Sequence, residues 1–81
     1  MEEFLDIMEK LQNLYKELLI LNIESLVEGY SNEEYWKKKI RIIEKMKPIA
    51  IILTKEYKLD EFDFSDDEKF LVSAKKFLSE K

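Results

Sequence analysis

The chain has 81 residues, of which 46% are hydrophobic and 40% charged, and its formal net charge at pH 7 is −4. It contains no cysteine and no histidine, which excludes disulfides, thiolate sites and the side chain that most often serves as a general base or zinc ligand. One glycine and one proline argue against a loop-rich or all-β fold. We therefore expect one all-α domain over residues 1–81, with no cofactor and no enzymatic activity.

The first predicted helix covers residues 2–28 and ends before Gly29, a residue type typical of helix C-caps. Apolar residues recur three and four positions apart along it, and this spacing predicts a buried seam formed by Phe4, Ile7, Leu11, Leu14, Leu18 and Leu21. A second apolar stripe beside the seam contains Leu5, Met8, Tyr15, Leu19 and Leu26. The first half of this second stripe is expected to lie under another helix.

The second predicted helix starts at Ser31-x-x-Glu34, a capping box in which the serine caps the first turn. Helical spacing then continues without a change of phase through Pro48, along Trp36, Ile40, Ile43, Met46, Ala50, Leu53 and Tyr57. This continuity predicts a single helix over residues 32–58 that is kinked at Pro48, whereas a break there would give four helices in all. Helices of nearly equal length predict an antiparallel hairpin that turns at residues 29–31.

A second capping box, Ser65-x-x-Glu68, predicts Ser65 as the N-cap of a third helix over residues 66–80, after a loop at 59–65. The expected fold is an all-α antiparallel three-helix bundle, a long hairpin plus a shorter third helix. At about 22 Å, a third helix that starts at the far end of the hairpin reaches about halfway back. Residues 60–68 are rich in acids, but they lack the glycine and glutamate of a calcium-binding EF-hand loop.

One face of the first predicted helix changes character midway, from Glu9, Asn13 and Lys16 to aliphatic residues. The third helix is too short to cover the aliphatic half, and exposed apolar patches are typical of interfaces. Aromatic residues, which are enriched at interface hot spots, lie near the same turn. The predicted partner-binding residues are Ile20, Ile23, Val27, Tyr30, Tyr35 and Trp36. The partner would be a second copy or a larger protein to which this chain is an accessory subunit.

A second interpretation starts from the basic residues between positions 37 and 47. Four of them fall on one helical face and would be able to follow a phosphate backbone: Lys37, Lys38, Arg41 and Lys45. The chain would then be an accessory factor of a nucleic-acid-processing complex. The net charge of −4 is unusual for a nucleic-acid binder, and a solvated helix face explains the same residues. The protein-interaction hypothesis therefore comes first.

The cellular setting is also an expectation at this stage. No apolar window of about 18 residues predicts a membrane span, and the acidic first residues are unlike a signal peptide, so we expect a cytoplasmic protein. Thirteen lysines and only four amide side chains are typical of thermophilic proteins, or of an AT-rich genome. No nucleophile–base pair and no glycine-rich phosphate loop is present, so no small-molecule substrate is expected.

Overall fold

The computed structural model describes residues 2–80, and the side chains of residues 3–80. This part of the chain forms three α-helices and no strand: α1 (Glu2–Glu28), α2 (Asn32–Glu56) and α3 (Asp67–Ser79). The three-helix composition predicted from apolar spacing is confirmed. The long helices α1 and α2 pack against each other.

Gly29 ends α1 in a Schellman motif. Its φ is +67°, in the left-handed region that glycine adopts without a Cβ clash, and the Tyr30 N–H donates to the Ser25 carbonyl at 3.2 Å. Two residues later Ser31 caps α2, because its Oγ accepts the Glu34 N–H at 3.2 Å. The sequence signals at this turn therefore act as predicted.

Pro48 lies inside α2 and does not break it, so the alternative with four helices is wrong. Proline has no N–H, and its ring stands on the exposed side of the helix, while Met46 and Ala50 on either side are fully buried. The packing of these neighbours keeps the helix continuous. α2 ends two residues earlier than predicted, where Lys58 takes a left-handed φ of 58° and the Leu59 N–H donates to the Leu53 carbonyl at 3.2 Å.

The predicted cap of the third helix is wrong by one residue. Asp66 is the N-cap of α3, and its Oδ1 accepts the Lys69 N–H at 2.8 Å. The Ser65 N–H and hydroxyl both donate to Asp63 Oδ1 instead, which is an Asx turn. Serine and aspartate are equally good caps, so the nearby Asp63 decides which of the two adjacent residues starts the helix.

The start of α3 also lies elsewhere than predicted. Lys47 Nζ pairs with Asp67 Oδ1 at 2.8 Å and Lys39 Nζ pairs with Glu68 Oε1 at 3.1 Å, which ties the first turn of α3 to the middle of α2. The start of this helix was predicted at the far end of the hairpin. The ten residues 57–66 have an extended reach of about 33 Å, so the loop is long enough to return along α2.

Aromatic residues of that loop are part of the core. Phe62 is buried, with its ring centroid 5.0 Å from that of Phe77, and the Phe64 ring stacks on Phe70 at 5.5 Å. One cluster of buried side chains joins all three helices and the loop, and its largest fully buried members are Leu11, Ile43, Met46, Leu53, Phe70 and Phe77. No charged side chain of residues 3–80 is buried. Most of the core thus lies along the parts of α1 and α2 that are remote from Gly29, and Leu18 extends it past the middle of α1.

Candidate interaction surface

The second half of α1 exposes an unusual number of large apolar side chains. Leu18 and Leu21 are buried against the rest of the protein, whereas five neighbouring aliphatic residues are 46–85% exposed. At 100° per residue, these five lie on the arc of the helix that faces away from Leu18 and Leu21. We call them the apolar end surface: Leu19, Ile20, Ile23, Leu26 and Val27.

Three members of the apolar end surface were predicted to be partner-binding residues, namely Ile20, Ile23 and Val27. All three are exposed, while their role in binding remains a prediction. Leu19 and Leu26 were assigned to the second stripe and not to the binding surface. The missing signal was their helical phase, because at 100° per residue both lie on the same outward arc of α1 as Ile23. Leu5, at the start of the same stripe, is exposed as well.

Tyr30, the first predicted aromatic, interacts mainly with its own chain. Its hydroxyl donates to Glu28 Oε2 at 2.8 Å and to Glu24 Oε2 at 3.2 Å, and Lys38 Nζ lies 4.8 Å from its ring centroid. The hydrogen bond to Glu28 raises the pKa of the Tyr30 phenol to about 12, because ionisation would place a phenolate beside two carboxylates. The neutral Tyr30 side chain therefore stabilises the turn between α1 and α2.

The other two predicted aromatics lie together on α2. The Tyr35 hydroxyl donates to Asn22 Oδ1 and so links α2 to α1, and its ring meets Trp36 edge-on at 6.1 Å. Lys39 Nζ lies 4.5 Å from the Trp36 ring centroid, in a cation–π contact. Trp36 remains 41% exposed, and Ile40, one turn further along, is exposed too. Of the three aromatics, Trp36 is the one that offers a partner most apolar surface.

The basic residues of the second interpretation differ in their surroundings. Lys37 pairs with Glu33 at 3.3 Å and Lys38 lies over Tyr30, while Arg41 and Lys45 are exposed without an ion pair among the described residues. Lys39 and Lys47 of the same run hold α3. Several of these cations thus already contact side chains of the same chain.

A groove between α1 and α2 combines residues of both predicted sets. We call it the open groove, and it is lined by Glu17, Ile20, Leu21, Glu24, Lys38, Arg41 and Ile42. Its acids come from α1, its bases come from α2, and isoleucine and leucine lie between them. None of its four charged side chains forms an ion pair within the described part of the chain.

The described residues show neither a metal-binding cluster nor a membrane-spanning helix. No group of three or more acidic side chains within residues 3–80 is arranged to hold a metal ion. In the part of the chain that the structure describes, no helix combines the length and apolar character needed to cross a lipid bilayer. Comparisons with protein-family models, with curated proteins and with solved structures found no match for this chain.

Proposed function

We propose that this chain is a small cytoplasmic protein-interaction module, or an accessory subunit of a larger protein, that binds its partner through the apolar end surface and is not an enzyme. The observation that supports this function is the exposure, by 46–85%, of five aliphatic side chains on one arc of α1. Aliphatic residues gathered in this way on a small protein are typical of interaction sites.

The proposal includes an antiparallel hairpin, kinked at Pro48, as the frame of this surface. Two contacts between α1 and α2 support the antiparallel arrangement, because early residues of one helix meet late residues of the other. At the start of α1 and the end of α2, the Phe4 ring lies 5.0 Å from the Tyr57 ring. Near the turn, Asn22 of α1 accepts a hydrogen bond from Tyr35 of α2. The kink is supported by the chemistry of proline, because Pro48 has no N–H to donate to the carbonyl four residues earlier in α2.

The free energy available at this surface fits a reversible complex. Complete burial of one Val, Leu or Ile side chain contributes about 1.5–3 kcal/mol. Scaled by their exposed fractions, the five side chains would contribute roughly 5–10 kcal/mol on binding. Association itself costs about 4–15 kcal/mol, which is of the same size, so a complex formed through these five side chains alone would be weak and reversible. Trp36 and Ile40 would add to this balance if the partner reaches α2.

The experiment is affinity capture with tagged wild type and two variants of α1. Ile23→Glu places a charge at the centre of the apolar end surface, where burial against a partner would leave it unpaired. Lys16→Glu, two turns earlier on the same face, is the matched control because it also introduces a glutamate at an exposed position. A partner recovered with wild type and control but not with Ile23→Glu supports the proposal. Equal recovery with all three proteins refutes it.

The basic face of α2 remains the second candidate interface. Lys37 is already paired with Glu33, and Glu17 and Glu24 line the same groove as Lys38 and Arg41, so a phosphate backbone there would meet carboxylates. This is why we place nucleic-acid binding second. Salt separates the two functions, because phosphate contacts weaken steeply as salt rises and an apolar interface does not.

A further inference from the structure

The open groove carries charged side chains on both of its sides. Glu17 and Glu24 stand on α1, and Lys38 and Arg41 stand opposite them on α2, with the buried Leu21 and the half-buried Ile42 between. Tyr30 contacts two of them, because its hydroxyl donates to Glu24 and Lys38 lies over its ring, but none of the four forms an ion pair among the described residues. The groove therefore has an acidic edge, an apolar floor and a basic edge.

This groove lies on a different face of α2 from the one that holds α3. Lys39 and Lys47, which bind the first turn of α3, are two turns apart on one face. The groove residues Lys38 and Ile42 are one turn apart on another face, and the same spacing continues it through Lys45, Ile49 and Ile52. Ile52 is exposed and Ile49 is half-buried. An apolar stripe with a basic edge thus extends along α2 away from α3.

We propose that the occupant of the open groove is a second copy of this chain, in a two-fold symmetric dimer. In such a dimer the same surface of each copy meets itself in the opposite orientation. Glu17 and Glu24 of each copy then lie against Lys38 and Arg41 of the other. The inference rests on the proposed function and makes it specific, since Ile20 belongs to both the open groove and the apolar end surface.

Charge complementarity selects this occupant over the others. The four charged side chains sum to zero, so the groove attracts neither a strongly acidic nor a strongly basic partner. A nucleic acid would place phosphates beside Glu17 and Glu24. A second copy brings two acids and two bases with the same separation, and each therefore finds an opposite charge.

The test uses two charge-reversal variants of the groove, Glu17→Lys/Glu24→Lys and Lys38→Glu/Arg41→Glu. Either variant alone would face a second copy with like charges on both edges, whereas an equimolar mixture restores opposite charges at every position. The matched controls reverse exposed residues elsewhere and change the net charge equally: Glu61→Lys/Glu80→Lys and Lys75→Glu/Lys76→Glu. Circular dichroism checks that all four variants remain helical.

Sedimentation velocity between about 1 µM and 1 mM protein, at physiological salt, measures the dimerisation constant. We expect wild type and both controls to dimerise as the concentration rises, each groove variant to dimerise at least tenfold more weakly, and the mixture of groove variants to recover dimerisation. A wild type that stays monomeric overturns the inference, and so do groove variants that behave like the controls. In either case the capture experiment with Ile23→Glu still decides separately whether the apolar end surface binds another protein.

Discussion

Replacing Asp66 with alanine is expected to lower the free energy of unfolding by about 1 kcal/mol, within a range of about 0.5–2 kcal/mol for N-caps. The lost interaction is the 2.8 Å hydrogen bond that Asp66 Oδ1 accepts from the Lys69 N–H, one of the four N–H groups without a helical partner at the start of α3. The carboxylate also lies at the positive end of the helix dipole, which adds to the loss.

For a domain of this size, 1 kcal/mol corresponds to a fall in Tm of about 4–8 °C, so thermal unfolding followed by circular dichroism resolves the effect. Two further variants separate the cap from its neighbours. Asp66→Asn keeps a side-chain oxygen that accepts the same bond and should recover most of the stability. Ser65→Ala removes the hydroxyl that donates to Asp63 at an exposed site, and its cost should stay within about 0.5 kcal/mol.

The order of these costs decides whether α3 begins where the structure places it. If Ser65→Ala lowers Tm as much as Asp66→Ala, the serine is the cap after all, and the hydrogen bonds described for Asp63 and Asp66 are not those of the folded protein in solution. Equal and negligible costs for both variants would mean that α3 does not depend on a cap at this position.

Two other measurements test the loop and the turn. Phe62→Ala should lower the free energy of unfolding by about 3–5 kcal/mol, because Phe62 is buried against Phe77. Phe64→Ala, at a 41% exposed site, should lower it clearly less. Urea unfolding measures both variants, and equal losses would contradict the packing of the loop. Folding raises the pKa of the Tyr30 phenol from 10.0 to about 12, chiefly through its hydrogen bond to Glu28. The neutral phenol therefore contributes its whole share to the free energy of unfolding below pH 10, and this share is lost as the pH rises toward 12. An ultraviolet titration of Tyr30→Phe should lose the tyrosine transition near pH 12, and an unchanged transition near that pH would contradict the assignment.

The turn between the long helices could be predicted from the sequence because each of its signals is local. Gly29 is required by a left-handed φ, and Ser31 lies three residues before the N–H that it caps. Apolar spacing likewise located both long helices, since their buried faces follow the helical period along the whole length. The passage of α2 through Pro48 was readable from the same unbroken spacing.

The position of α3 could not be predicted in this way because it depends on contacts between distant residues. Phe62 and Phe64 lie outside any periodic segment, and only the folded core shows that they pack on Phe77 and Phe70. The pairing of Lys39 and Lys47 with the first turn of α3 joins residues 20 or more positions apart. Lys37, one of the four residues predicted to follow a phosphate backbone, is paired with Glu33, because composition does not reveal which charges the fold has already paired.

The left-handed residue at the end of α2 restricts how this chain can diverge. Lys58 holds a φ of 58° without being glycine, a conformation that an unbranched side chain tolerates at a cost of about 1–2 kcal/mol. Glycine, asparagine and aspartate adopt it more easily, whereas valine, isoleucine and threonine clash with the backbone there. Homologous chains that keep this loop should therefore draw position 58 from a short list of residues. A β-branched residue at that position in a homologue would indicate a different path after α2, and with it a different place for the aromatic residues that follow.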